Sequence, residues 1–180
     1  MKNLAILGVG NILEKDDGVG IYASYFLATN YTLLSDVEII HGGVEGINLL
    51  PLFREFRRVV ILDAIASDES AGSIFHIPIE ELRGRGLSSA TAHEVGVIEC
   101  FDMLELMGET SPNATLLAIV PQEIAFEIGL SQTLHEKFAS YIEVLLEVLK
   151  ELDVDAKLNA TTLSLGEIID KSTHLLSKIK

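Results

Sequence analysis

The sequence has a single cysteine and few basic residues. Cys100 alone excludes an intrachain disulfide framework and any CxxC metal site. Its simplest reading is a small side chain buried on a helix. Only 13 Lys and Arg stand against 27 Asp and Glu, a formal charge of −14. A field of that sign opposes nucleic acid and anionic membrane surfaces. It is compatible with a cationic ligand, a metal-bearing partner or simply a solvated acidic surface. Long hydrophobic runs are missing too, so no segment is predicted to span a membrane. The opening MKNLAILGVGN reads as a strand and a turn and not as a signal peptide. The expected location is therefore cytoplasmic.

Complete phosphate-binding loops are also lacking. Gly8-Val9-Gly10-Asn11-Ile12 is followed by Leu13 where a dinucleotide fingerprint needs glycine, and no GK[ST] follows. Asp16 and Asp17 would repel a pyrophosphate at the start of the next helix. No GxSxG elbow supplies a serine nucleophile. Ser88 or Ser89 beside His93 is conceivable as a nucleophilic pair, but nothing provides a third member.

What is present is a core-forming chain of alternating elements. A length of 180 residues with 48% hydrophobic content suits one compact domain. Leu4–Leu7, Val37–Ile40, Val59–Leu62 and Thr115–Val120 read as short buried strands, and Ser73–Pro78 as an edge strand. Helical spacing follows Val19, Tyr22, Ala23 and Phe26, with Asn30 as a stop. A less regular helix is expected over Ile47 to Phe56, broken or kinked by Pro51. Residues 83–96, RGRGLSSATAHEVG, are small and polar and predict a long surface loop before a helix carrying Val97, Phe101 and Leu104. Ser131 caps a helix with Leu134, Phe138, Ile142, Leu145 and Leu149 on one face. Ser164 and Glu167 form a capping box for a last amphipathic helix, placed either on the body or on a partner. The order predicts a three-layer α/β fold, a mostly parallel twisted sheet with helices on both faces.

In such sheets ligands gather beyond the carboxyl ends of the strands. Gly8–Asp17, His41-Gly42-Gly43, Asp63 and the residues after Val120 all follow strand ends. Asp17, Asp63 and His93 are a carboxylate–carboxylate–imidazole set suited to Zn, Ni or Mn with positions left open. Such a metal could polarise a carbonyl and activate water. Blander roles stand beside this one. Asp16 or Asp17 can be helix N-caps, Asp63 can cap a turn, and His93 can be a surface residue. Spacing alone does not bring the three together.

The motif series resembles the hydrogenase maturation proteases, endopeptidases that trim the C-terminus of the [NiFe] hydrogenase large subunit. It runs from Gly8-Val9-Gly10-Asn11-Ile12-Leu13 and Asp16-Asp17-Gly18-Val19-Gly20 through His41-Gly42-Gly43 and Leu62-Asp63-Ala64. His93-Glu94-Val95-Gly96, Ile119-Val120-Pro121-Gln122 and Gly129-Leu130-Ser131 complete it. The resemblance covers residues 4 to about 150. It implies a family domain over 1–152 and a C-terminal extension over 153–180. It implies that Asp17, Asp63 and His93 are the metal-binding and catalytic set. It further implies that the nickel is brought by the large-subunit precursor and bound only transiently. His41 departs from the aspartate usual in the family before the glycine pair. It is expected, with Gly42 and Gly43, to form a substrate loop. Asp16 is expected to be a helix cap. Other readings are a metallocentre-sensing chaperone without hydrolysis, or a peptidase acting on another protein tail.

Overall fold

The computed structural model describes residues 2–43, 46–84 and 92–176. In chain order its elements are β1 (Lys2–Val9), α1 (Val19–Asn30), β2 (Tyr31–Leu33), β3 (Val37–Gly43) and α2 (Leu50–Glu55). Then come β4 (Phe56–Ala64), β5 (Ile74–Pro78), α3 (Ile79–Gly84), α4 (Ala92–Leu106) and β6 (Asn113–Ile119). The chain closes with α5 (Gln132–Glu151), β7 (Ala156–Leu158) and α6 (Leu165–Leu176). Short 3-10 turns at Lys15–Gly18 and Gly46–Leu49 lead into α1 and α2.

The main sheet has the order β3-β1-β4-β6-β5. Its first four strands are parallel, and β5 runs antiparallel on β6 at one edge. Alternate side chains of the central strands enter two separate cores. Leu4, Ile6, Val60 and Leu62 meet α1 and α5 on one face. Ala5, Leu7, Val59 and Ile61 meet α2 and α4 on the other. A strand buried on both faces must be apolar throughout, which is why β4 reads Val-Val-Ile-Leu before its aspartate.

Two close backbone approaches set the positions of the helices around the site. A Cβ on Gly20 would lie 2.0 Å from the Leu62 carbonyl oxygen and 2.4 Å from that of Val9, so α1 rests directly on β1 and β4. On the opposite face a Cβ on Gly96 would lie 2.6 Å from the Gly46 Cα, so α4 touches the turn after β3. Only glycine permits either contact.

Several elements differ from their expected form. Pro51 does not interrupt a helix; it occupies the first turn of α2, where its missing N–H costs nothing. The 3-10 turn before it accounts for the irregularity. His41, Gly42 and Gly43 are the last residues of β3 and not a loop beyond it, because the Gly43 carbonyl still accepts from the Gly10 N–H at 3.1 Å. Of the loop expected over 83–96, α3 takes the first two residues and α4 those from Ala92, while 85–91 lie outside the described residues, Ser88 and Ser89 among them. The antiparallel pair β2–β7 carries no clear pattern in three-residue strands. That pair fastens the segment after α5 to the body. α6 then packs on α1, burying Leu165 in the α1 core with Ile169 packed against it, while Ile168 is also buried. Its capping box forms as expected, Ser164 and Glu167 exchanging hydrogen bonds.

Candidate functional site

The carboxyl ends of β1, β3 and β4 converge on one edge of the sheet, and the acidic residues arrive there by different routes. After β1 the chain turns at Gly10, whose φ of +128° is left-handed territory. The 3-10 turn then delivers Asp16 and Asp17 into the interior, at 0% and 6% exposure. Asp17 Oδ2 accepts the Asn11 backbone N–H at 2.8 Å, which holds the carboxylate across the glycine loop. Asp63 follows Leu62 on β4 and is 1% exposed. Its Oδ1 accepts the Ala64 N–H at 2.8 Å. Asp63 shares a cavity of about 10 Å³ with Ile61, Ile79, Val97 and Leu116, no larger than one water. Its carboxylate therefore sits over an apolar floor between the sheet and α4.

Beneath the same strand end, Tyr141 of α5 donates to the Leu117 carbonyl at 2.6 Å. Burial pushes its phenol well above the ordinary range; the nearby Asp63 carboxylate adds to this, and the Asp63 backbone N–H works against it. A hydroxyl that stays protonated under the Asp63 peptide fixes this strand end from the other face. Nothing in the sequence singles out Tyr141 for this role.

His93 lies in the first turn of α4, and its side chain is outside the described residues. It precedes Val97 by four residues, about 6 Å along the axis, so the two positions share one face of the helix. Val97 lines the Asp63 cavity. The fold thus brings the turn bearing Asp17, the end of β4 and the first turn of α4 to the same edge. Among the described residues no three His, Cys, Asp or Glu side chains are gathered closely enough to hold a metal. Asp17 and Asp63 are the described members of the expected set.

Asp16 does not cap its own helix, as neither the 3-10 turn nor α1 has a side-chain cap. Its Oδ2 accepts the N–H groups of Gln122 and Glu123, both at 2.9 Å, and its Oδ1 accepts that of Ser131 at 2.6 Å. This carboxylate binds the loop between β6 and α5 to the site. Sequence reasoning missed it because its partners lie more than a hundred residues away.

His41 stands on the α1 side of β3. Its ring stacks on Tyr25 with centroids 3.7 Å apart and planes 13° from parallel. Ser24 Oγ lies 2.8 Å from both the Ile21 carbonyl oxygen and His41 Nδ1. The hydroxyl has one proton, and two oxygens that close need it between them. Ser24 therefore donates to Ile21, and His41 Nδ1–H donates to Ser24. In the neutral ring Nε2 is left as an acceptor. Desolvation lowers the imidazole pKa from its ordinary 6.5. The unfolded chain then binds more protons just below pH 6.5. The associated stability is present above that pH and declines as pH falls through the window. Imidazole 15N shifts are expected to show the Nδ1–H tautomer at pH 7 and a midpoint below 6.5. A midpoint above it would contradict a ring stacked on Tyr25 and partly withdrawn from water.

Cys100 is buried in α4, with Sγ 3.6 Å from the Gly46 carbonyl oxygen. Burial, helped by Glu99, pushes its thiol up to about 11, so it is an unreactive packing group at neutral pH.

With this geometry in place, comparison with known proteins gives a consistent result. The family described as "Hydrogenase maturation protease" matches residues 21–148, a span that begins just after the Asp16-Asp17 turn. The hydrogenase 2 maturation protease of Escherichia coli (strain K12) is 30% identical over 154 residues, covering 85% of this chain and 94% of that protein. The structure of the hydrogenase maturating endopeptidase HybD from E. coli superimposes with a TM-score of 0.81 at 28% identity, over 89% of this chain and 99% of that one. The [NiFe] hydrogenase maturation protease HybD from Thermococcus kodakarensis gives 0.64 at 26% identity, over 82% and 99%.

Proposed function

We propose, from the premise that the chain belongs to the hydrogenase maturation protease family, that it releases the C-terminal peptide of a [NiFe] hydrogenase large-subunit precursor already loaded with nickel. The observation that carries this reading is the pair of buried carboxylates, Asp17 and Asp63, presented at the sheet edge where α4 begins. Carboxylate oxygens with an imidazole nitrogen suit a borderline divalent ion such as nickel. Asp17, Asp63 and His93 would hold the precursor's nickel transiently, and the ion would polarise a nearby carbonyl while bound. Burial of both carboxylates strengthens their attraction for a cation, because little water screens them. The end of β3 offers a second element. Gly43 leaves open space where an extended peptide could approach, and His41 Nε2 offers an acceptor two residues before it, whereas a Cβ on Gly42 would meet Leu7 in the interior, so that glycine serves the core and not a substrate.

Incubation with precursor in nickel-loaded and nickel-free forms tests the proposal. Loss of the C-terminal peptide from the loaded form alone is the expected result, read as a mobility shift and by mass. Equal cleavage of both forms would remove nickel from the recognition step. A tight complex without cleavage would favour a metallocentre-sensing chaperone.

A further inference from the structure

The loop 121–130 between β6 and α5 is built inside out. Its polar backbone is spent inward. Gln122 and Glu123 donate to Asp16, the Glu127 carbonyl accepts the Lys15 N–H at 2.7 Å, and the Gly129 N–H donates to Tyr22 at 3.3 Å. Lys15 Nζ adds ion pairs to Glu123 at 2.7 Å and Glu127 at 2.9 Å. Its large apolar side chains meanwhile face water. Ile124 is 52% exposed, Phe126 87% and Ile128 44%, with Leu13 at 38% on the neighbouring turn. Single exposed apolar residues are ordinary, but three at alternate positions on one firmly anchored loop form a patch with a use.

We infer that the apolar ridge Ile124–Phe126–Ile128 is the docking surface for the folded body of the large-subunit precursor, with basic residues of that precursor meeting its acidic rim. The inference rests on the proposed function. Two observations select this occupant. Asp16 ties the loop to the turn that carries Asp17, so a partner seated on the ridge is held beside the candidate site. Glu123 and Glu127 lie in the same loop as the ridge, Glu14 bridges to Glu127, and the single ammonium of Lys15 is shared between Glu123 and Glu127, so these groups leave the rim net acidic. In a chain of net charge −14, that rim disfavours a second copy and favours a basic partner. Aromatic residues, Phe included, are enriched at the cores of protein interfaces.

The test uses wild-type protein, Phe126→Ser and the double variant Ile124→Ser/Phe126→Ser. Binding to nickel-loaded precursor is measured by titration calorimetry in an Asp63→Asn background, and processing is measured with Asp63 intact. Phe126 is so exposed that its replacement leaves the fold unchanged, which an unchanged urea midpoint verifies. The expected result is a rise of about 30-fold in Kd and in KM with kcat retained. Unchanged binding by both variants overturns the inference. So does a wild-type dimer, seen by sedimentation, that Phe126→Ser dissociates without altering processing. Failure of wild-type protein to cleave at all would count against the proposed function, while the binding measurement still decides the docking surface.

Discussion

Asp63→Asn is expected to lower the rate of precursor processing by about 10³-fold with no loss of fold. The amide keeps an oxygen for the Ala64 N–H, now 2.8 Å from Oδ1, and occupies the same volume over the apolar floor. What it changes is the charge and the second carboxylate oxygen, which becomes an amide donor. Tm should stay within about 3 °C of wild type, the shift produced by about 1 kcal/mol in a domain of this size. Asp17→Asn should behave alike, since its oxygen can still receive the Asn11 N–H. Processing is read as the mobility change of the precursor, and the fold as the urea midpoint. Full activity in either variant would remove that carboxylate from the proposed site. If both variants lose activity but still bind precursor, the carboxylates act in the chemical step or in its metal recognition.

Asp16→Ala should have the largest effect on stability, about 3 kcal/mol, and a smaller, indirect effect on processing. Its carboxylate is fully buried and is shared by three backbone N–H groups. An N–H left without a partner costs about 1–3 kcal/mol when no water reaches it. Gln122 and Glu123 border solvent and recover part of that cost, whereas Ser131 is buried at the start of α5. Asp16→Asn offers no rescue, because one of the two accepting oxygens becomes an amide donor facing a donor. Equilibrium urea unfolding decides the matter. A loss below about 1 kcal/mol in both variants would show that the loop does not depend on this clamp. Neighbouring aspartates are thus expected to divide the work, with loss of Asp17 read in processing and loss of Asp16 read in stability.

Much of the frame is legible along the chain because the pattern that identifies each element is also the cause of its burial. Val59–Leu62 is apolar without alternation since both faces of β4 are covered. The N-cap at Ser131 and the capping box at Ser164 are local hydrogen bonds, formed by residues three apart. Pro51 misleads because a proline's effect depends on its place in the helix; at the first turn it is harmless. β2 and β7 escape notice because each is three residues long and draws its stability from a partner more than a hundred residues away.

The Asp16-Asp17 turn divides along the same line. Sequence alone determined that acids replace a phosphate loop at a strand end, that the fold is α/β around a mostly parallel sheet, and that Asp17, Asp63 and His93 are candidates of compatible chemistry. Those are properties of residue type, order and short-range spacing. Only the tertiary structure decided that Asp16 clamps the loop after β6, that His41 lies in the last residues of β3 with its Nδ1 proton committed to Ser24, and that Ile124, Phe126 and Ile128 face water. Each of these depends on which backbone comes alongside. That is set by the close approach of helix to sheet at glycine positions, as at Gly20 over Leu62, and by no local pattern.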